Sequence, residues 1–397
     1  MEKVSDRLQR MAVSATLAMT QKSRELTAQG FDVINLSIGE PDFDTPAQVK
    51  EAAKKAIDDN FTHYPPVPGF DSLKEAIVNK FKRENGLTYE KNQVVVSAGA
   101  KHSIINVFLS ILNEGDEVII PAPYWVSYIE MVKLSEGTPV VVKCGIESDF
   151  KMTAEQLESA ITDKTRAIIY SSPSNPTGSL YSKQELENLA RVIEKHPNII
   201  VLSDEIYEHI NFSGKHESIA QFDSIKDRVV VINGVSKGYA MTGWRIGYIA
   251  APLWIAKAVT KLQGQFTSGA CSIAQKASEA AINAGSDSCK EMTAVFKKRR
   301  DLVLEHLKGI NGLKTNIPLG AFYVFPEVSS FFGKSYEHYK IENSSDLALY
   351  ILETEKVATV GGDAFGSPEC LRFSYATSED KLIEAISRIK RALDKLT

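Results

Sequence analysis

Residues 167–207, AIIYSSPSNPTGSLYSKQELENLARVIEKHPNIIVLSDEIY, hold one complete unit of the fold. Ala167-Ile168-Ile169-Tyr170 is a short, apolar, β-rich run. Ser182 then stands as the N-cap of an amphipathic stretch at 182–195, with acidic residues close behind it. Ile199-Ile200-Val201-Leu202 is a second apolar run. Strand, capped helix and strand in that order read as a crossover between parallel neighbours. Runs this short and this continuously apolar suit strands covered on both faces.

The pattern extends both ways from this unit. Val94-Val95-Val96, Glu117-Val118-Ile119-Ile120, Pro139-Val140-Val141-Val142, Val229-Val230-Val231-Ile232 and Ile246-Gly247-Tyr248-Ile249 are further strand candidates. Helical patterns lie between them at 101–112 and at 153–160, the latter capped by Thr153. Alternation of this kind predicts an α/β fold with a doubly wound, mainly parallel sheet. From about residue 288 the pattern changes to a long charged helix (288–308), strands near 321–325 and 371–375, a helix near 344–354 and a last amphipathic helix at 379–396. The expected domains are therefore an N-terminal arm over 1–45 that adds to the small domain, a large domain over 46–287, and a smaller α+β domain over 288–397. No internal repeat or low-complexity segment interrupts this plan.

Composition bounds the function. The 397 residues are 43% hydrophobic and 24% charged, the balance of a folded globular chain. Lys plus Arg number 46 and Asp plus Glu 50, a net charge of −4, which excludes a broadly basic nucleic-acid footprint. Cys144, Cys271, Cys289 and Cys370 show no metal-site spacing with one another or with histidine, and read as buried or semi-buried thiols in a reducing compartment. The first thirty residues lack an apolar leader core, and no apolar run approaches the roughly 18 residues of a membrane span, so a cytoplasmic protein without membrane partners is expected.

In an open α/β sheet, ligands bind beyond the carboxyl ends of the strands. There the sequence places Gly99-Ala100-Lys101, Trp125, Asn175-Pro176-Thr177-Gly178, Asp204 with Tyr207, and Ser236-Lys237. Each has a plain structural alternative. The glycine turn suits any tight β–α connection, Trp125 suits a core, Asn175 a turn, Asp204 a helix cap and Lys237 a solvated surface. Ser236-Lys237 also has the form of a nucleophile pair, but no second hydrolase element accompanies it. Together, an anion turn, an aromatic plate, an amide, a carboxylate, a phenol and a lysine ask for a planar, phosphorylated, nitrogen-containing cofactor.

The segment Gly234-Val235-Ser236-Lys237-Gly238-Tyr239-Ala240-Met241-Thr242-Gly243-Trp244-Arg245-Ile246-Gly247 resembles the pyridoxal-phosphate lysine signature of the class I aminotransferases. Leu36-Ser37-Ile38-Gly39-Glu40-Pro41-Asp42-Phe43, Asn175-Pro176-Thr177-Gly178, Asp204-Glu205-Ile206-Tyr207 and Leu371-Arg372-Phe373-Ser374 are similar to the family's other landmarks, in the family's order. Within the family, the bacterial-type aspartate enzymes are most similar over nearly the whole chain.

The resemblance implies a fold-type-I transaminase that moves the amino group of L-aspartate to 2-oxoglutarate by a ping-pong route. It implies that Lys237 binds pyridoxal 5′-phosphate covalently and carries the substrate proton, with Asp204 at the pyridine nitrogen. Asn175 and Tyr207 would bond the ring's phenolic oxygen. Arg245, Ser236 and the Gly99, Ala100, Lys101 turn would hold the phosphate, and Trp125 would cover the ring face. Arg372, with backbone at Gly39, would clamp the substrate α-carboxylate. Tyr64 would reach the phosphate of a neighbouring subunit, which implies a homodimer with shared active sites; without the resemblance it reads as a loop aromatic.

Two departures bear on specificity. Ala100 stands where related turns often carry a second glycine. No counterpart is recognisable for the partner-subunit arginine that binds the distal carboxylate in animal-type enzymes. The resemblance assigns that task to Lys101 with Ser14 and Thr16, a less demanding arrangement than an arginine fork. Prephenate, aromatic amino acids and alanine therefore stand as alternative amino-group partners. A lyase reaction on the same cofactor and a non-catalytic regulator are the remaining rivals.

Overall fold

A computed structural model of the chain describes residues 4–12 and 15–397. Its centre is a seven-stranded sheet built from β1 (Val94–Ser97), β2 (Glu117–Ala122), β3 (Thr138–Lys143), β4 (Thr165–Ser171), β5 (Ile200–Asp204), β6 (Val229–Gly234) and β7 (Gly247–Ala250). The spatial order is β1-β7-β6-β5-β4-β2-β3. All neighbours are parallel except β7, which runs antiparallel to both β1 and β6. The cause lies in the connection. Residues 235–246 contain no α-helix to carry the chain back across the sheet, so the strand returns in the opposite sense.

The apolar runs divide residue by residue between the two faces. Val94, Val96, Ile168, Val201, Val229 and Val231 enter one core, whereas Val95, Ile169, Leu202, Val230 and Ile232 enter the other. That is period-two geometry expressed in a sequence that shows no polar alternation. The edge strand β3 departs from the expectation of two covered faces. Its residues are exposed or half-buried, and Val141 is 42% exposed, because among the described residues no further strand lies beyond this edge of the sheet.

The helices form where their caps and stripes place them. Ala154–Ala160 starts behind a Thr153–Gln156 capping box, and Lys183–Glu194 behind a Ser182–Glu185 box. The later part of the chain contains Asp287–Leu307, Ser344–Glu355, Glu379–Asp394 and a three-stranded antiparallel sheet of Val360–Gly361, Leu371–Ser374 and Tyr323–Val324. Ile34–Asn35 pairs in parallel with Val357–Ala358, which ties the N-terminal segment to this region. The strand expected over 321–325 is only two residues long, since Ala321 takes a left-handed backbone and Pro326 follows.

A buried ionic network lies beneath β5. Lys80, fully buried, pairs with Glu208, while His216 faces Glu205 at 3.0 Å and His209 faces Glu84 at 2.9 Å. Burial opposes the ionised form of Glu208, but Lys80, His209 and His216 outweigh it and hold the carboxyl well below its ordinary range. The stabilisation from that ion pair is present above the ordinary carboxylate range and is lost as pH falls through the depressed value.

Candidate active site

The carboxyl ends of β1, β2, β4, β5 and β6 share one edge of the sheet, and a cavity of about 300 Å³ opens there against the small sheet. Gly247, the first residue of β7, lies between Ser97 and Gly234 in the ladder. A side chain at 247 would collide with the backbone of Gly99 and Ala100, so the turn after β1 can sit against the strand only because this position is glycine. Gly99 itself has φ +88°, and a side chain there would collide with the Arg245 guanidinium. The turn opens the helix Ala100–Ile111, whose first N–H groups have no partner inside the helix.

Lys237 enters from the segment after β6. Its Nζ donates to the Gly39 carbonyl at 2.6 Å, and no side chain accepts from it among the described residues. Burial pushes the amine from its ordinary value down to about 8; Glu40 and Asp204 oppose this, while Arg245 and Arg372 add to it. Asp204 ends β5. Burial raises its carboxyl to about 6, against the Tyr128 hydroxyl, which donates to Oδ2 at 2.6 Å, and the Ile206 N–H, which donates to Oδ1 at 3.2 Å.

Arg372, on the strand Leu371–Ser374, is 2% exposed. It donates to Asn175 Oδ1 at 3.0 Å and to the Ser37 carbonyl at 2.6 Å, and its Nε has no partner among the described residues. Its guanidinium lies 4.6 Å from the Tyr323 ring centroid, and no carboxylate pairs with it among the described residues. A buried guanidinium supplied only with neutral acceptors is a seat for an incoming carboxylate. Tyr207 and Tyr323 share a hydroxyl–hydroxyl bond of 2.9 Å. On the opposite wall the Lys101 ammonium stands 4.8 Å over the Trp125 ring, its affinity for a proton lowered by burial and then by Arg245.

The cavity thus gathers Gly39, Ala100, Lys101, Trp125, Asn175, Asp204, Tyr207, Ser236, Lys237, Arg245, Arg372 and Thr16. Gly99 lies directly behind Arg245. Ser14 falls outside the described residues. Tyr64 is 94% exposed and does not line this chain's cavity. The sequence reading missed Tyr128, Tyr323 and the Ser37 carbonyl. Tyr128 sits three residues after Trp125, at the entry of the helix Ser127–Leu134, a closeness in sequence that could have exposed it; Tyr323, inside an apolar run, carried no such signal.

The sequence profile described as "Aminotransferase class I and II" matches residues 32–389. The chain belongs to that family. A Rickettsia felis protein described as "Probable aspartate/prephenate aminotransferase" is 50% identical over 397 residues, covering 99% of this chain and 97% of the relative. A bifunctional aspartate aminotransferase and glutamate/aspartate-prephenate aminotransferase of Petunia hybrida is 46% identical over 395 residues, covering 98% of this chain and 82% of the relative. Among solved structures, the aspartate aminotransferase of Rhizobium meliloti superposes with a TM-score of 0.97 at 44% identity over 100% of both chains. That of Thermus thermophilus with maleate gives 0.92 at 40% identity, covering 99% of this chain and 100% of the other.

This aminotransferase is a pyridoxal-phosphate enzyme, as its family is. The residues present fit that group. The cavity offers an amine free of side-chain partners, a buried carboxylate, unpaired helix N–H groups beside a guanidinium, and an aromatic wall. No helix of the described residues is long and apolar enough to cross a membrane.

Proposed function

We propose that the enzyme transfers the amino group of L-aspartate to 2-oxoglutarate, giving oxaloacetate and L-glutamate. The observation that carries this reading is Arg372, a buried guanidinium without an anionic partner that lines the same cavity as Lys237, with the Lys101 ammonium on the other wall. Two cationic groups flanking one reactive amine match an amino acid with two carboxylates.

Pyridoxal phosphate held in this cavity would supply an electron sink for the substrate Cα. The chain's residues do the rest. Lys237 would hold the cofactor and, as a free amine, would move a proton at Cα; burial pushes that amine down to about 8, where it is partly neutral at physiological pH and able to accept one. Asp204 would hold the pyridine nitrogen, Asn175 and Tyr207 the phenolic oxygen, and Trp125 would cover the ring face. Arg245, Ser236 and the turn at Gly99, Ala100 and Lys101 bind the phosphate. Arg372 and Gly39 orient the α-carboxylate, while Lys101, Thr16 and Ser14 take the distal one. The exposed Tyr64 serves the phosphate of a second copy in a cytoplasmic homodimer.

The test is the visible spectrum of the loaded enzyme before and after L-aspartate, with no keto acid present. Loss of the visible band into the near ultraviolet supports the reading. A band that ignores aspartate but responds to another amino acid replaces the substrate. Lys101→Ala should lower kcat/KM for aspartate by about 10- to 100-fold, the loss of one charge-assisted bond, while leaving alanine nearly unchanged. Equal losses for both substrates would remove Lys101 from specificity. The Rickettsia and Petunia relatives bear prephenate in their names, and a flexible lysine would accommodate that second, ring-bearing dicarboxylate. Competition between prephenate and 2-oxoglutarate in the steady state distinguishes the two acceptors.

A further inference from the structure

We infer that Tyr128 is a positioning residue of this reaction, its hydroxyl holding the Asp204 carboxylate in register with the cofactor's ring nitrogen. The inference rests on the reading that Asp204 faces that nitrogen.

Tyr128 is 1% exposed and Asp204 4%, and the 2.6 Å bond between them is short, as a bond to an ionised acceptor is. The direction of donation is from the phenol: burial and the adjacent Asp204 charge push it well above its ordinary range, so the hydroxyl keeps its proton and donates a hydrogen bond to the carboxylate. Asp204 accepts one further bond, from the Ile206 backbone. Tyr128 is therefore its one side-chain donor among the described residues. A carboxylate accepts about four bonds, so these two leave capacity for the cofactor.

The placement of Tyr128 is set by the helix Ser127–Leu134, where its N–H donates to the Trp125 carbonyl at 2.9 Å. Its ring meets Trp125 edge to face, with centroids 5.5 Å apart and planes at 89°. One turn of chain thus supports both the aromatic wall and the carboxylate. The two contacts use different parts of the side chain. Phenylalanine would keep the ring contact and lose the hydroxyl's bond to Asp204 together with its interaction with Ser171.

The electrostatic sense follows. Burial raises the Asp204 carboxyl, and the Tyr128 bond is the largest influence opposing it. Without the hydroxyl the carboxyl takes up a proton more readily, and a neutral Asp204 no longer favours a protonated ring nitrogen.

The experiment titrates apoenzyme with pyridoxal phosphate and with its 1-deaza analogue, whose ring has C–H in place of nitrogen. Binding is read from tryptophan fluorescence and checked by equilibrium dialysis. Tyr128→Phe should lower affinity for pyridoxal phosphate by about tenfold or more, and change affinity for the analogue less than about twofold. Asp204→Asn, with Tyr128 intact, should lower the same ratio of affinities, and adding Tyr128→Phe to it should change the ratio little further. Equal losses for both ligands would overturn the inference and make Tyr128 a packing residue, as would a full Tyr128→Phe effect persisting in the Asp204→Asn background. A wild-type enzyme that binds the analogue as tightly as pyridoxal phosphate would overturn the Asp204 reading itself, and the inference with it.

Discussion

Lys237→Ala will fold and will lose transamination by at least about 10²- to 10⁴-fold, the contribution of a positioned proton carrier, before any loss of covalent cofactor attachment is counted. The stability of the apoprotein will move the other way. Folding pushes the amine down to about 8 from its ordinary value, so the unfolded chain binds more protons between those two values. Stability linked to this group is complete above the ordinary lysine value and is lost as pH falls through about 8. Wild-type apoprotein therefore carries a penalty near neutrality that the alanine variant lacks. Denaturant unfolding at pH 7 and at pH 9.5 measures it: the wild type should gain stability at the higher pH relative to the variant. Normal turnover by Lys237→Ala would show the site to be misassigned.

Arg372→Leu should show the same opposition from a different cause. Two charge-assisted bonds to a substrate carboxylate contribute about 3–6 kcal/mol together, so kcat/KM should fall by about 10²- to 10⁴-fold. In the apoprotein the guanidinium is buried, with Asn175 and the Ser37 carbonyl as its acceptors and Nε unpaired. Burial also lowers its affinity for a proton. A leucine removes that desolvated charge, and apoprotein stability should hold or rise. A succinate or maleate titration supplies the decisive comparison, since dicarboxylates should stabilise wild type and leave the variant unmoved. An unaltered KM for aspartate would end the assignment of Arg372 as the α-carboxylate seat.

Much of this arrangement was legible before any coordinates. The apolar runs, the Thr153 and Ser182 caps and the residues just beyond the strands depend on local chemistry, so the sheet and most of the cavity wall could be read directly. What stayed hidden depends on distant segments meeting. Tyr323 touches Tyr207 across more than a hundred residues, and the Ser37 carbonyl reaches Arg372 across more than three hundred. The Lys80–Glu208 pair is equally remote, and neither residue stands in a pattern that announces burial. The reversed β7 was masked for another reason, because an apolar run reads the same in either direction.

That reversed strand constrains how the enzyme is made. Among the described residues β7 is the only strand that pairs with β1, and it is also the seam that joins β1 to β6. During synthesis residues 94–97 leave the ribosome long before residues 247–250 exist; Val96 N–H can already meet the Pro68 carbonyl, but the groups that pair with β7 lack their partners until then. A nascent chain ending before β7 lacks Gly247, the residue against which the Gly99–Ala100 turn packs. Competence to hold the cofactor therefore arrives late in translation, and the interval before it is when an unpaired apolar strand is most open to misassociation.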